Sequence, residues 1–552
     1  MTERMPRPHA AGDGEVPVFL PDGVEAPAGL VEAALGYEAA LMADDLESLA
    51  EYFAPGPDTL RGDEGGLLVG HDTITRFRGR RGGAPQRRIE ALHVRPIDDD
   101  HAWLAAVTAP LGGGRGLVGQ LWERRDGAWR ISAAHVSAPP RAMDPRVWRV
   151  VGDPLLGPTG SGPLDGHTIA VKDVIAVEGF ALGAGVPAYL AGAAPAPRSA
   201  PVLDALRAAG ASVRGIAQTD QFAYSIAGRN AAYGTPPNPA VPGAISGGSS
   251  SGPASAVAMG HATIGLGTDT AGSIRIPASY QGLWGLRTTH GAISVDGVLP
   301  LAPSFDTVGW LTRDGETLAA VTRAAFERMP QQRVDAVRLA TAALELPALD
   351  APALVLAPAL ADSATPEVTR AFAAGLDALR SSGGRVDVLD DDALVAGALD
   401  ELYEAFRTVQ AAEAWAQHGS WITAHPGALG EDIAARFAWA ASVTADAEAA
   451  ARERLAVART ALDAALGDAV LVLPSAASVA PPVDAAGAEI EAIRAATLRI
   501  TTVAGATGRP ALSVPGLMAG GAPIGVCFVG PRGTDLGLVE RAQEWATALK
   551  HG

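Results

Sequence analysis

The chain has 552 residues, 48% of them hydrophobic and 19% charged, with a formal net charge of −18. Such a length exceeds what one hydrophobic core organises, and the composition is globular rather than disordered. The acidic balance argues against nucleic acid or an acidic membrane as a partner, and the lone Cys527 rules out an intrachain disulfide or a thiolate-rich metal site.

In chain order, Met1 to Val16 is polar and proline-bearing, without the apolar stretch of a secretion signal, and residues 1–22 read as a flexible N-terminus. Apolar residues from Leu30 to Leu41 and from Leu46 to Phe53 recur at helical spacing, so two helices are predicted with a break at Asp44-Asp45. After a glycine turn near Gly65-Gly66, a short helix is expected from Asp72 to Phe77. Four strands follow at 88–94, 101–109, 116–124 and 128–137, the last two joined by Asp126-Gly127, a strong hairpin signal. These elements make a small α+β domain over 23–140, with helices laid on a curved antiparallel sheet. Residues 141–164 read as a linker.

From Asp165 onward short apolar strands alternate with Ala-rich helices: a helix at 201–209, a strand at 212–216, a helix at 254–260 and a strand at 263–267. This is the pattern of an α/β core with a central mixed, largely parallel sheet covered by helices. Apolar strands recur at 469–473 and 523–529, and 396–466 is mostly helical, with Trp415, Trp421 and Trp439 available to pack on the sheet or to line a pocket. No stretch is long and apolar enough to span a bilayer, the longest bland one being 254–267, and 165–552 is taken as one domain. The expected compartment is cytoplasmic.

Of 43 basic residues only Lys172 and Lys550 are lysines. Lys172 lies in the apolar run Thr168 to Ile175, where arginine, which cannot lose its proton in a protein, would serve equally well as a fixed charge. A surviving lysine there points to a group that must deprotonate; the alternative is a buried ion pair with Asp165, Asp173 or Glu178. Two glycine-serine segments follow, Pro242 to Gly252 before a helix and Gly267 to Arg275 after a strand. Small residues at such places let backbone N–H groups converge on a negative centre, or simply make tight loops and caps. Neither segment has the Gly-Lys-Ser/Thr ending of a nucleotide-binding loop.

Lys172 in its Val-Lys-Asp context, the Gly-Gly-Ser-Ser run at 247–250 and Gly-Thr-Asp-Thr-Ala-Gly-Ser-Ile-Arg at 267–275 together resemble the amidase signature family. The likeness extends over about the last 390 residues, through Ala223 to Pro239, Leu471 to Pro474, Thr502 to Pro515 and Pro523-Ile524-Gly525. It implies Ser273 as nucleophile, Lys172 as general base and Ser249 as the bridging serine, on a cis peptide bond from Gly248. The N–H groups of Thr270, Ala271, Gly272 and Ser273 correspond to the family's oxyanion hole, and Ser250, Asp269 and Arg275 to loop supports. The implied activity is an amidohydrolase acting through an acyl-enzyme without metal or organic cofactor. Ser251, often Gly in the family, and Gln221, often Glu, depart from its pattern without removing a reactive group. Residues 279–312 and Glu413 to Ile422 look closer to the indoleacetamide hydrolase branch, which points to a small aryl or heteroaryl amide. A carbamate or ester hydrolase and a non-enzymatic docking module are the alternatives.

Residues 23–137 are similar to the cone-shaped NTF2-like or SnoaL-like fold, and to small accessory proteins of triazine-degradation operons, through Gly66 to His71, Arg76-Phe77-Arg78 and the hairpin from Leu117 to His135. The resemblance implies an interior cavity with His71, Arg76, Arg78, His93, Trp122 and His135 as candidates for its mouth. Three roles compete for the domain: dimerisation or packing against the amidase, a pocket for a small or acidic ligand, and independent catalysis; the expected assembly is a homodimer.

Overall fold

The computed structural model describes residues 16–21, 23–63, 66–81, 84, 86–110, 116–137, 144–328, 349, 352–389 and 391–551. The chain divides into two compact units, 1–143 and 144–552. Among the described residues no helix is long and apolar enough to cross a membrane.

In the smaller unit the helices Leu30–Ala43 and Leu46–Glu51 are separated as their spacing predicts. Asp44 takes a left-handed φ of 54° and Asp45 caps the second helix by accepting from the Ser48 N–H at 3.2 Å. A third helix, His71–Arg81, follows. The sheet has seven strands in the order Val18–Phe19, Arg87–Pro96, His101–Pro110, Gly116–Arg125, Ala128–Ser137, Leu60–Asp63 and Gly66–Val69. Asp126 and Gly127 both have positive φ, 50° and 77°, the geometry of a type I′ hairpin turn. Trp122, fully buried, and Tyr37, Phe53 and Leu30 form the core under the helices.

The expected flexible segment 1–22 is corrected in part. Val18–Phe19 pairs in parallel with Leu92 and His93, and Phe19 stacks on the His93 ring at 4.8 Å, contacts that fix this edge; residues 1–15 lie outside those described. The expected end of the domain near Pro139-Pro140 lies outside them too.

The larger unit is built on an eleven-stranded mixed sheet. Its strands run in the order Val386–Val388, Leu354–Leu356, Val470–Pro474, Ala522–Val529, Ala511–Ala519, Trp284–Arg287, Thr307–Thr312, Ile264–Asp269, Thr168–Lys172, Ser212–Ala217 and Trp148–Leu156. Parallel pairing is narrower than the strand-helix alternation suggests. It is confined to the first three strands and to the block of Ile264–Asp269, Thr168–Lys172 and Ser212–Ala217, while hairpin-like antiparallel pairs fill the middle. The expected linker 141–164 is not one throughout. Trp148–Leu156 pairs antiparallel with Ser212–Ala217 and closes the sheet, burying Trp148. Helices Ala396–Ala424, Glu431–Ala441 and Ala445–Leu466 pack together with Gly487–Thr507, and Trp415, Trp421 and Trp439 lie half-buried against the core.

Candidate active site

Thr168–Lys172 runs between two parallel neighbours, and every residue from Ile169 to Lys172 is buried. The strand therefore delivers the Lys172 side chain, 0% exposed, to its C-terminal end inside the protein. There Nζ is hydrogen-bonded to Ser249 Oγ at 2.8 Å and to Thr268 Oγ1 at 2.8 Å. The ion-pair alternative is not realised with the neighbouring aspartates: Asp173 pairs with Arg149 at 2.9 Å, and Asp165 accepts from Ser161 and the Gly162 N–H. Burial lowers the Lys172 ammonium to about 7, outweighing the upward pull of Asp220, Asp269 and Asp306.

Ser249 is joined to Gly248 by a cis peptide bond. Its carbonyl accepts the Thr219 hydroxyl at 2.8 Å, and the Gly248 N–H donates to the Ile226 carbonyl at 2.9 Å. Gly248 admits no side chain, because a Cβ would stand 2.6 Å from Asp220 Oδ2 and 2.7 Å from Gly228 N. Asp220 accepts the Gly228 N–H and the Ser251 hydroxyl, and burial raises its carboxyl to about 6. Ser251 thus anchors the loop where the resembling family often has glycine. Ser250 ties the two glycine-serine segments together: its hydroxyl donates to the Thr268 carbonyl at 3.2 Å and its N–H to the Ser273 carbonyl at 3.2 Å.

Ser273, 4% exposed, ends a loop wrapped around Asp269. Both carboxylate oxygens of Asp269 are used, by Arg275 Nε and Nη2 at 3.1 and 2.9 Å, by Arg287 Nη1 at 3.1 Å, and by the N–H groups of Gly272 and Ile274. Burial alone would raise this carboxyl; the two guanidiniums hold it far below the usual carboxylate range. Arg275 Nη1 also holds the Thr501 carbonyl, the Thr501 hydroxyl holds the Ala271 carbonyl at 2.6 Å, and Thr270 Oγ1 donates to Asp306 at 2.6 Å. The expected four-donor cradle is narrower by one, since the Gly272 N–H already donates to Asp269 Oδ1 at 2.9 Å. The N–H groups of Thr270, Ala271 and Ser273 carry no hydrogen bond among the described residues. No hydrogen bond links the Ser249 and Ser273 hydroxyls among those residues; the hydrogen-bonded chain is Thr268, Lys172 and Ser249, with Ser273 on the adjoining loop.

Sequence reading missed Thr268 as a partner of the lysine, although it stands in the quoted glycine segment. It also missed Arg287 and Asp306 as loop supports, for they lie on and beside separate strands with no spacing to mark them. In the smaller unit the six expected mouth residues are not brought together. Trp122 is a core residue bonded to Gln120; His93 and His135 are exposed; Arg76 bonds the Asp72 carbonyl in solvent, and His71 the Ala50 carbonyl. Of the six, Arg78 alone lines the unit's cavity, beside Tyr37, Arg61 and Phe77. Among the described residues no cluster of His, Cys, Asp and Glu has the arrangement of a metal site.

A family model described as Amidase matches residues 158–539, and one described as AtzH-like matches residues 22–141. Amidase 1 of Oryza sativa subsp. japonica is 33% identical over 397 residues, which is 70% of this chain and 91% of that protein; Amidase 1 of Arabidopsis thaliana is 33% identical over 395 residues, 68% and 92%. A solved structure described as "Crystal structure of amidase" aligns with a TM-score of 0.61 at 29% identity, over 70% of this chain and 85% of its own. Another, described as "An unexpected vestigial protein complex reveals the evolutionary origins of an s-triazine catabolic enzyme", aligns with a TM-score of 0.61 at 28% identity, over 70% and 84%.

Proposed function

We propose that this chain, which belongs to the amidase family and is an amide hydrolase, works through a serine acyl-enzyme on a small aryl or heteroaryl carboxamide. The observation that carries the reading is the 2.8 Å contact between a wholly buried Lys172 and Ser249. Only a neutral amine accepts a proton, and burial supplies one near neutral pH.

Ser273 Oγ attacks the amide carbonyl while its proton passes to Ser249 and the Ser249 proton to Lys172 Nζ. The N–H groups of Thr270, Ala271 and Ser273 stabilise the oxyanion, each such donor contributing ~3 kcal/mol in comparable sites. The C–N bond breaks as the proton returns through Ser249 to the leaving nitrogen, giving ammonia or an amine. Water then attacks the acyl-Ser273 ester by the same relay and releases the carboxylic acid. Ser249 and Ser273 approach within bonding range once substrate packs against them, as catalytic hydrogen bonds commonly tighten on binding. The test is product release from benzamide, indole-3-acetamide, aliphatic amides, an anilide and an aryl carbamate at pH ~8.5. The aromatic primary amides are expected to turn over fastest, and a faster aliphatic amide or carbamate overturns the substrate assignment.

We also propose a homodimer formed through the smaller unit. The edge strand Gly66–Val69 exposes Leu67 and Val69, 64% and 51% accessible, and Leu117 is 56% exposed. Apolar, unpaired edges of this kind are usually covered. Light scattering is expected to give twice the chain mass, and Leu67→Arg with Val69→Arg the single mass; an unchanged dimer in the double variant removes this interface.

A further inference from the structure

Each N–H group of the nucleophile loop shares a planar peptide with the carbonyl of the residue before it, and in a trans peptide the two point in opposite directions. The peptides from Asp269 to Ser273 are all trans, so whatever holds a carbonyl also aims the N–H across from it. The Asp269 carbonyl accepts from Arg287 Nη1 and from the Thr307 hydroxyl at 3.0 Å. In the next plane the Thr270 carbonyl accepts from Arg287 Nη1 at 3.3 Å. The Ala271 carbonyl takes the Thr501 hydroxyl, while the Gly272 N–H across the same bond is spent on Asp269. The Gly272 carbonyl accepts the Ile276 N–H at 2.9 Å where the helix Arg275–Gln281 begins. The N–H groups that carry no hydrogen bond among the described residues, those of Thr270, Ala271 and Ser273, are thus each backed by a held carbonyl. Arg287 stands behind two of the three.

Arg287 ends the strand Trp284–Arg287 and pairs there with Gly309 of the strand Thr307–Thr312, which in turn places Thr307 opposite Asp269. Its side chain is wholly buried, and burial lowers it only to about 10, so the guanidinium stays a cation. Neutralising Asp269 does not account for its placement. Arg275 already meets both carboxylate oxygens; Arg287 adds one contact there and gives the rest to the main-chain carbonyls of Asp269, Thr270 and Phe305. A cation on an amide carbonyl draws electron density through the peptide and strengthens its N–H as a donor. Such a charge is fixed before the reaction, so it costs no reorganisation as negative charge develops at the other side of the peptide.

We infer that Arg287 is a positioning residue of the oxyanion site, aiming and polarising the Thr270 and Ala271 N–H groups through the carbonyls behind them, with Thr307 as the second donor on the Asp269 carbonyl. The assignment rests on the acyl-enzyme reading and adds to it a side chain that touches no substrate.

The test separates transition-state binding from ground-state binding. For the amide that the wild type turns over fastest, Arg287→Met is expected to lower kcat on the order of 10²- to 10³-fold, the effect of a lost oxyanion donor, with KM within about threefold. Arg287→Lys keeps the charge without the fork and should recover about tenfold of that loss. Phenyl trifluoromethyl ketone, which adds to Ser273 and leaves an alkoxide in the oxyanion site, should lose affinity in proportion to kcat/KM. Calorimetric binding of the same amide to the Ser273→Ala protein should stay unchanged when Arg287→Met is added. Thr307→Val removes only the second donor on the Asp269 carbonyl and carries the test should Arg287→Met fail to fold. A several-fold loss of kcat and of ketone affinity is expected from it, with amide binding unchanged. Equal losses for ketone and amide, or an unchanged kcat in a folded variant, overturn the assignment. Failure of the acyl-enzyme reading shows differently, as hydrolysis that persists in Ser273→Ala.

Discussion

Ser273→Ala is expected to lower amide turnover by about 10⁴- to 10⁶-fold while the protein keeps its fold. The hydroxyl is the atom that bonds to the acyl carbon in the proposed mechanism, and nothing else in the loop can replace it. The loop itself does not depend on that oxygen: Asp269 organises it through Arg275, Arg287 and backbone N–H groups, and Ser273 joins the Ser250 segment through its backbone carbonyl. The measurement is ammonia release together with intact-protein mass spectrometry after rapid acid quench. The wild type should show an acyl adduct that the variant lacks. Turnover retained within tenfold in a folded variant would sink the acyl-enzyme, because general-base and oxyanion effects alone do not explain catalysis by an absent nucleophile.

The second large effect belongs to Lys172→Met, and it has two opposed parts. Removing a general base costs about 10²- to 10⁴-fold in rate. Wild-type activity should fall as pH drops through about 7, where the lysine becomes an ammonium, with a further fall near 6 as the buried Asp220 carboxyl protonates; Lys172→Met should lose the upper of these two steps. Stability moves the other way. The folded lysine titrates near 7 and the unfolded one near 10.5, so between these values the unfolded chain binds the additional proton and wild-type stability rises with pH. Below about 7 both states are charged and the folded state bears the whole cost of the buried ammonium. Lys172→Met should therefore be more stable than wild type, by on the order of a few kcal/mol at pH 6, with the gain vanishing above pH ~10.5. Calorimetric melting at several pH values reads this, and a variant less stable at pH 6 would contradict a lysine held against its charge.

Local signals were legible wherever one residue type has few alternatives. The αL break at Asp44, the Asp126-Gly127 turn and the amphipathic helices of residues 396–466 follow from dihedral preference and periodicity. Lys172 was legible because arginine elsewhere made the lysine conspicuous, while Ser249, 77 residues on, was marked only by the resemblance of its glycine-serine run to the amidase signature. Strands Trp284–Arg287 and Thr307–Thr312 are buried on both faces, so they show none of the alternation that marks a half-exposed strand. Trp148–Leu156 contains Gly152, Asp153 and Pro154 and reads as a loop; its place in the sheet is decided by an edge that needed a partner. Donor satisfaction was not legible at all. That the Gly272 N–H serves Asp269 within its own loop, and that Arg287 reaches the same carboxylate from another strand, are facts of the folded chain.

The near absence of lysine has a further bearing on how the protein meets electrophiles. Of its two side-chain amines, Lys550 is exposed on the last helix and Lys172 is sealed beneath the sheet. An acylating reagent or a reactive metabolite thus finds Lys550 in the native state, whereas Lys172 becomes available only during excursions that part the strands around it. Once opened to water the amine loses the burial that lowered its pKa and is mostly an ammonium again, so an opening seldom ends in modification. Slow covalent damage at this one position would then record how often the interior opens, and each such event would also silence the molecule that suffered it.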